Sequence, residues 1–138
     1  MSTTMDSFAH VPLFRDLDRK ALERIERAAR QRSFKAGEAI VKEGDEGVGF
    51  YLIASGKVSV TRGGTQLNSL GAGDFFGEMA LLDNHRRSAT VTATEPTECI
   101  VVHRADFVAE LRANPDLAID LLALMSRRLR ELDEKLGE

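Results

Sequence analysis

The chain has 138 residues, which suits one domain with its own hydrophobic core and leaves too little for a second. Hydrophobic residues make up 43% and charged residues 30%, a globular composition, and 19 basic against 22 acidic residues give a net charge of −3. This balance argues against a dedicated nucleic-acid-binding protein, no apolar run approaches the length of a membrane span, and one cysteine, Cys99, excludes an internal disulfide. We therefore expect a single cytoplasmic domain, residues 1–138, with neither a membrane nor a nucleic-acid partner.

The first 31 residues predict a helical lead-in to this domain. Apolar side chains recur at the spacing of an amphipathic helix between residues 18 and 30. They are Ala21, Leu22, Ile25, Ala28 and Ala29. We expect this helix to flank the part of the chain that follows.

Residues 32–103 have the texture of a mainly β structure. Ten of the eleven glycines lie between Gly37 and Gly77, where they separate short runs rich in β-branched and aromatic residues. Gly63 and Gly64 separate two such runs and are typical of a tight hairpin. Many short strands with closely spaced glycine turns indicate an antiparallel β-roll or jelly-roll-like barrel rather than a parallel sheet. The predicted strands span residues 33–35, 39–42, 49–54, 57–62, 66–70, 89–93 and 97–103.

Residues 104–138 return to helical periodicity, with a short helix over 106–113 and a long one over 116–136, divided at Asn114-Pro115. The long helix carries two apolar stripes. The first, expected to cover the roll, is Leu117, Leu121 and Leu124. The second, with the 3-4-3-4 spacing of a coiled-coil seam, is Leu122, Met125, Leu129, Leu132 and Leu136. We expect it to pair two copies in parallel, although one broad face buried within a monomer fits the same residues.

Segment 75–91 carries the most informative chemistry. Gly77 precedes a predicted helical turn, whose first N–H groups are unpaired and form a natural anion site. Glu78 in that turn suits the helix dipole, and a merely capping carboxylate also accounts for it. Arg87 opens the next strand, where its guanidinium fork can reach an anion held by those N–H groups. A carboxylate for a sugar hydroxyl and an arginine for a phosphate suit a nucleoside monophosphate.

The same segment resembles the phosphate-binding cassette of the cyclic-nucleotide-binding domain family. The motifs are Phe-Gly-Glu-Met-Ala-Leu at 76–81 and Arg-Ser-Ala-Thr-Val at 87–91. Matching glycine punctuation lies at residues 34–38, 43–45, 50–53, 55–58 and 70–74. Residues 114–135 are similar to the hinge and long C-terminal helix of the catabolite-activator members, without their helix-turn-helix domain. The resemblance covers nearly the whole chain and implies a non-catalytic β-roll, with the cassette at 75–91 and a hinge and C-helix at 104–138.

The resemblance also implies the ligand, a cyclic nucleoside monophosphate with cAMP preferred over cGMP, and neither a metal nor another cofactor. It implies that Glu78 accepts a hydrogen bond from the ribose 2′-hydroxyl and that Arg87 pairs with the cyclic phosphate. The other implied contacts are Phe76, Gly77, Met79, Ala80, Ser88, Ala89, Leu132 and Asp133. Two departures stand out: Arg86 replaces a proline common in the family, and Leu132 and Asp133 replace the two adjacent hydroxyl side chains of the catabolite-activator members.

On this interpretation, the ligand closes the cassette, and the long helix then moves and signals, through a homodimer, to an unidentified effector protein. The alternative is an interaction module that keeps the fold but binds a protein partner or no ligand. Intact Glu78 and Arg87 argue against that alternative, because a pocket without a ligand loses little when they are replaced. His10, His85 and His103 are scattered without metal-ligand spacing, which argues against a metal-dependent oxygenase.

Overall fold

The computed structural model describes residues 11, 14, 19–47, 49–77, 81 and 86–135. Its helices are α1 (Arg19–Ala28), α2 (Arg104–Ala113) and α3 (Pro115–Lys135). Its strands are β1 (Arg30–Phe34), β2 (Ala39–Val41), β3 (Gly49–Ser55), β4 (Lys57–Arg62), β5 (Thr65–Gly71), β6 (Phe75–Phe76), β7 (Thr90–Ala93) and β8 (Thr97–His103). In this part of the chain, no helix has both the length and the hydropathy that a membrane span requires.

The eight strands form two four-stranded antiparallel sheets, in the orders β1-β8-β3-β6 and β2-β7-β4-β5. Successive side chains of a strand point to opposite faces, and residues 49–53 of β3 are all buried, so both faces of this part of the strand are covered. Tyr51 and Ile53 join the core between the two sheets, whereas Phe50 and Leu52 join the core beneath the helices. This two-sided burial explains the uninterrupted apolar run of β3 and confirms the predicted β-roll with flanking helices.

Helices α1 and α3 cover the outer face of the sheet that contains β3. Ile25 of α1 and Leu117 and Leu121 of α3 are buried in the same cluster as Phe50. Each such side chain contributes roughly 1.5–3 kcal/mol through its removal from water. Leu124 is buried as well, so all three leucines of the first predicted stripe are buried, and Leu117 and Leu121 pack in the core shared with the roll.

The second stripe of α3 remains largely in solvent within one chain. Leu122 is 69% exposed, Leu129 63% and Leu132 52%, while Met125 is partly buried against the outer core. Leu136 lies outside the described residues. The interpretation that one broad apolar face is buried within the monomer is therefore wrong for these three leucines.

Several element boundaries differ from the predicted ones. Helix α1 ends at Ala28 rather than residue 30, and β1 starts at Arg30 rather than Ser33. Residues 30–33 are all exposed and polar, so the strand has no apolar alternation, and its pairing with β8 defines it. The Gly63-Gly64 hairpin is confirmed, since both glycines have positive φ and Arg62 pairs with Thr65 across the turn.

Candidate ligand-binding site

The backbone of Arg87 is fixed by a turn distant in sequence. The Arg87 N–H donates to the Asp45 carbonyl oxygen at 2.7 Å, and the Arg87 carbonyl accepts from the Gly44 N–H at 2.9 Å. Arg86 adds a third connection, because its Nη1 donates to the Gly44 carbonyl oxygen at 2.7 Å. Arg86 thus connects its own segment to the turn. The backbone of Arg87 is held by hydrogen bonds at both its N–H and its carbonyl oxygen.

The side chain of Arg87 reaches the start of β3. Its Nη2 donates to the Gly49 carbonyl oxygen at 2.6 Å. Its guanidinium carbon lies 5.8 Å from the centre of the Tyr51 ring, in cation–π geometry. The Tyr51 ring in turn stacks on Phe76, with centroids 4.9 Å apart and planes 5° from parallel. The guanidinium therefore lies at the end of the core between the two sheets.

Gly77 makes room for this guanidinium. Its φ of +80° lies in the left-handed region that favours glycine. A Cβ at this position would overlap Arg87 Nη1 and would lie 2.8 Å from the Gly49 carbonyl oxygen. The glycine that starts the cassette motif is thus required by its backbone conformation and by the arginine that the motif places ten residues later.

The electrostatics of Arg87 suit an anion. Burial lowers the pKa of its guanidinium, with Tyr51 acting in the opposite direction, yet an arginine stays protonated at neutral pH. Its Nε is buried and has no hydrogen-bond partner within the described part of the chain, where no carboxylate pairs with it either. A partly desolvated cation with a donor to spare binds an anion strongly, because charge-assisted hydrogen bonds replace lost hydration.

The structure brings three predicted site residues together: Phe76, Gly77 and Arg87. Of the others in the cassette, Ser88 is exposed and Ala89 half-buried, next to Arg87 in the chain. The Ser88 carbonyl accepts from Arg62 Nε at 2.9 Å. Residues Glu78, Met79 and Ala80 lie outside the described residues.

Leu132 and Asp133 are placed apart from this group. Both are exposed near the end of α3, beyond Leu124, the last residue of that helix that is buried. Within one chain they do not pack against the roll. A contact with the ligand would require a second chain or a different position of the helix.

No sequence motif indicates a ligand-site role for Gly49 or Tyr51. They precede Arg87 by 38 and 36 residues, and nothing in their spacing indicates that a carbonyl oxygen and a ring meet the guanidinium. The apolar run of β3 predicts a buried strand and nothing more about which groups it presents. Only the pairing of the strands brings these residues together.

A separate cavity of about 490 Å³ lies at the other end of β3, where Ser55, Phe34 and Thr97 line it. Ser55 is six residues from Gly49, or roughly 20 Å along an extended strand. Polar groups around this cavity are satisfied locally: the Lys35 N–H donates to Glu38 Oε1, for example. Among the described residues, Arg87 retains a buried donor without such a partner, so we place the candidate site at Arg87.

The described residues hold no group of three histidine, cysteine or carboxylate side chains with metal-binding geometry. Cys99 is fully buried, as expected for a core residue. Burial, with a smaller contribution from Glu98, raises the pKa of its thiol to about 11. His103 ends β8, while His10 and His85 lie outside the described residues.

Comparisons with known proteins give this site a family. The sequence profile of the cyclic nucleotide-binding domain matches residues 31–114, more than half of the chain. The cyclic AMP receptor protein of Thermus thermophilus is 42% identical over 130 residues, which cover 91% of this chain and 60% of that protein. A cGMP-dependent protein kinase of Toxoplasma gondii is 50% identical over 72 residues, 52% of this chain and 7% of the kinase. The chain thus spans only part of each of these relatives.

A solved structure shares the fold over nearly the whole chain. The N-terminal domain of a transcriptional regulator from Streptomyces coelicolor superimposes with a TM-score of 0.85 at 28% identity, over 94% of this chain and 96% of that one. The match to the sequence profile over more than half of the chain shows the family. The chain is a member of the cyclic nucleotide-binding domain family.

Proposed function

We propose that this chain is a non-catalytic receptor for a cyclic nucleoside monophosphate, with cAMP preferred over cGMP. The observation that carries the proposal is the half-buried Arg87 guanidinium, whose Nε has no partner within the described part of the chain. Gly49 and Tyr51 fix its orientation. A cyclic phosphate carries one negative charge and exposed oxygens, which a fixed guanidinium binds through charge-assisted hydrogen bonds.

The remaining contacts follow the cassette motif. Glu78 accepts a hydrogen bond from the ribose 2′-hydroxyl, and the Ser88 hydroxyl assists Arg87 at the phosphate. Backbone N–H groups near Gly77, Ala80 and Ala89 complete the anion site, as unpaired N–H groups of a helical turn do for phosphates generally. The positive φ of Gly77 supports this arrangement, because it turns the chain beside Arg87.

The preference for cAMP depends on the end of α3. Asp133 is an acceptor for the exocyclic amino group of adenine, and Leu132 covers the purine by apolar contact. Both side chains are exposed and separate from the roll in one chain, so we assign these contacts to a partner subunit. The relative from Thermus is named a cyclic AMP receptor protein, which supports cAMP as the ligand. The relative from Toxoplasma is named a cGMP-dependent kinase, so proteins similar to this chain include ones named for either nucleotide.

We further propose a parallel homodimer formed through α3. Leu122, Leu129 and Leu132 would otherwise leave an apolar stripe in water, which soluble monomers tend to avoid. Ligand binding shifts the population of α3 positions toward the one that presents the partner's Leu132 and Asp133 to the pocket. The free energy of this shift is limited by the difference in ligand-binding free energy between the two α3 positions.

Glu78 provides a test of the proposed binding mode. Replacing the Glu78 carboxylate by the neutral amide of Gln weakens the proposed hydrogen bond, and removing the ribose 2′-hydroxyl from the ligand eliminates it, so we expect each change to weaken binding. Their combination should be less than additive, because both changes act on the same interaction. The losses of affinity are measured with cAMP and 2′-deoxy-cAMP on the parent and on Glu78→Gln. Fully additive losses would show that Glu78 only caps the predicted helical turn. A parent that binds neither nucleotide would favour the interaction module.

A further inference from the structure

Two contacts hold the Arg87 guanidinium. Nη2 donates to the Gly49 carbonyl oxygen at 2.6 Å. The guanidinium carbon also lies over the face of the Tyr51 ring, 5.8 Å from its centroid. The π face of an aromatic ring attracts a cation electrostatically. The ring thus helps to hold the group, while Nε has no hydrogen-bond partner among the described residues.

The Tyr51 ring is itself immobilised. It is only 5% exposed, and Phe76 stacks on it with planes 5° from parallel. Tyr51 and Phe76 are also direct partners in the pairing of β3 with β6. Since Phe76 immediately precedes Gly77, the chain that starts the cassette also supports the ring beneath Arg87.

We propose that Tyr51 is a positioning residue of the ligand site: its ring, supported by Phe76, holds the Arg87 guanidinium so that the unpartnered Nε faces the phosphate. This inference rests on the proposed function for its ligand and on the structure for its contacts. Tyr51 acts through Arg87 and contributes an aromatic face. A phenylalanine at this position therefore retains the effect, whereas an aliphatic side chain loses it.

The test compares Tyr51→Phe and Tyr51→Leu with a matched control. Phe34→Leu is that control, because Phe34 belongs to the same core, is also 5% exposed and also carries an arginine, Arg32, over its ring. It pairs with Thr97, far along the sheet from Arg87. Both leucine variants lose a buried aromatic ring and some stability, and only Tyr51→Leu removes the support of Arg87.

Two measurements separate positioning from general destabilisation. Calorimetric titration with cAMP should show a 3- to 30-fold loss for Tyr51→Leu, the range of cation–π energies in partly dry sites, and less than about 3-fold for Tyr51→Phe and Phe34→Leu. In the ligand-free protein, nuclear magnetic resonance should show faster rotation of the Arg87 guanidinium in Tyr51→Leu alone. If Tyr51→Leu does not fold, Tyr51→Met fills the site with a more adaptable side chain and replaces it.

The outcomes distinguish the two proposals. Unchanged guanidinium rotation in Tyr51→Leu, or equal loss of affinity in Phe34→Leu, would overturn the positioning role. If the parent binds no cyclic nucleotide, the proposed function fails, and the ligand-free rotation rates alone decide whether Tyr51 positions Arg87. Tyr51 is the single tyrosine in a chain without tryptophan, so a change of its fluorescence in Arg87→Ala but not in Arg32→Ala, which removes the cation over Phe34 instead, gives an independent check on the contact.

Discussion

Gly77 and Arg87 are in close contact, because Nη1 of the Arg87 side chain occupies the space that a Cβ on Gly77 would fill. These two cassette residues, ten positions apart in the chain, are therefore linked by contact as well as by sequence. A substitution at the glycine displaces the arginine even though no charge is removed.

Gly77→Ala should therefore weaken nucleotide binding more than an alanine substitution that only strains the backbone. A left-handed alanine costs about 1–2 kcal/mol of folding free energy, and the overlap with Arg87 adds displacement of the guanidinium. Gly73→Ala is the matched control, because Gly73 has a φ of +91° and open space where its Cβ would lie. Urea unfolding and cAMP titration of both variants check this. Equal loss of affinity in the two would contradict a specific contact between Gly77 and Arg87.

Arg87→Ala should reduce cAMP affinity by roughly 30-fold to several thousand-fold, because truncating one partner of a buried charge pair costs about 2–5 kcal/mol. Arg87→Lys should recover only part of the loss, since an ammonium lacks the planar fork that meets Gly49 and the phosphate together. Arg32→Ala is the control, because Arg32 likewise lies over an aromatic ring, that of Phe34, which is far along the sheet from Arg87. An alanine variant at Arg87 that binds as tightly as the parent would show that the wrong arginine was assigned.

Leu129→Glu should convert dimers to monomers. Leu129 is 63% exposed in one chain, so a charge there costs the monomer little, whereas in a parallel pair of helices it faces its own copy. Leu67→Glu, on the 49% exposed Leu67 of β5, is the control that adds the same charge away from α3. Sedimentation at several concentrations measures the association. Dimer and ligand should strengthen each other by the same factor, and a parent that stays monomeric at high micromolar concentration with and without cAMP would contradict the dimer.

Cys99 predicts a loss of stability at high pH. The pKa of its buried thiol is raised to about 11, above that of an unfolded cysteine, so the folded state favours the protonated form. The stability gained from the protonated thiol is fully present below the pKa of the unfolded cysteine and is lost as the pH rises toward 11. Urea unfolding at pH 8 and pH 10.5 should show a larger decrease for the parent than for Cys99→Ala. An equal decrease in both would show that other groups account for the pH dependence.

The roll and its helices could be predicted from the sequence because glycine spacing and apolar periodicity are local signals. The polar residues 30–33 gave no such signal, and only the pairing with β8 makes them a strand. The motif indicates Gly77 and Arg87, which the structure places in contact, and their part in ligand binding stays a prediction. No motif indicates Tyr51, because its contact with Arg87 arises only when β3 and the cassette meet in the fold.

The central claim is that Arg87 belongs to a site for a cyclic nucleotide, and calorimetric titration of the folded parent with cAMP and cGMP tests it most directly. We predict saturable binding with one site per chain, a dissociation constant in the micromolar range or tighter, and a lower value for cAMP than for cGMP. Tighter binding of cGMP would contradict the assigned base preference alone. Binding of neither nucleotide would contradict the receptor function and leave an interaction module built on the same fold.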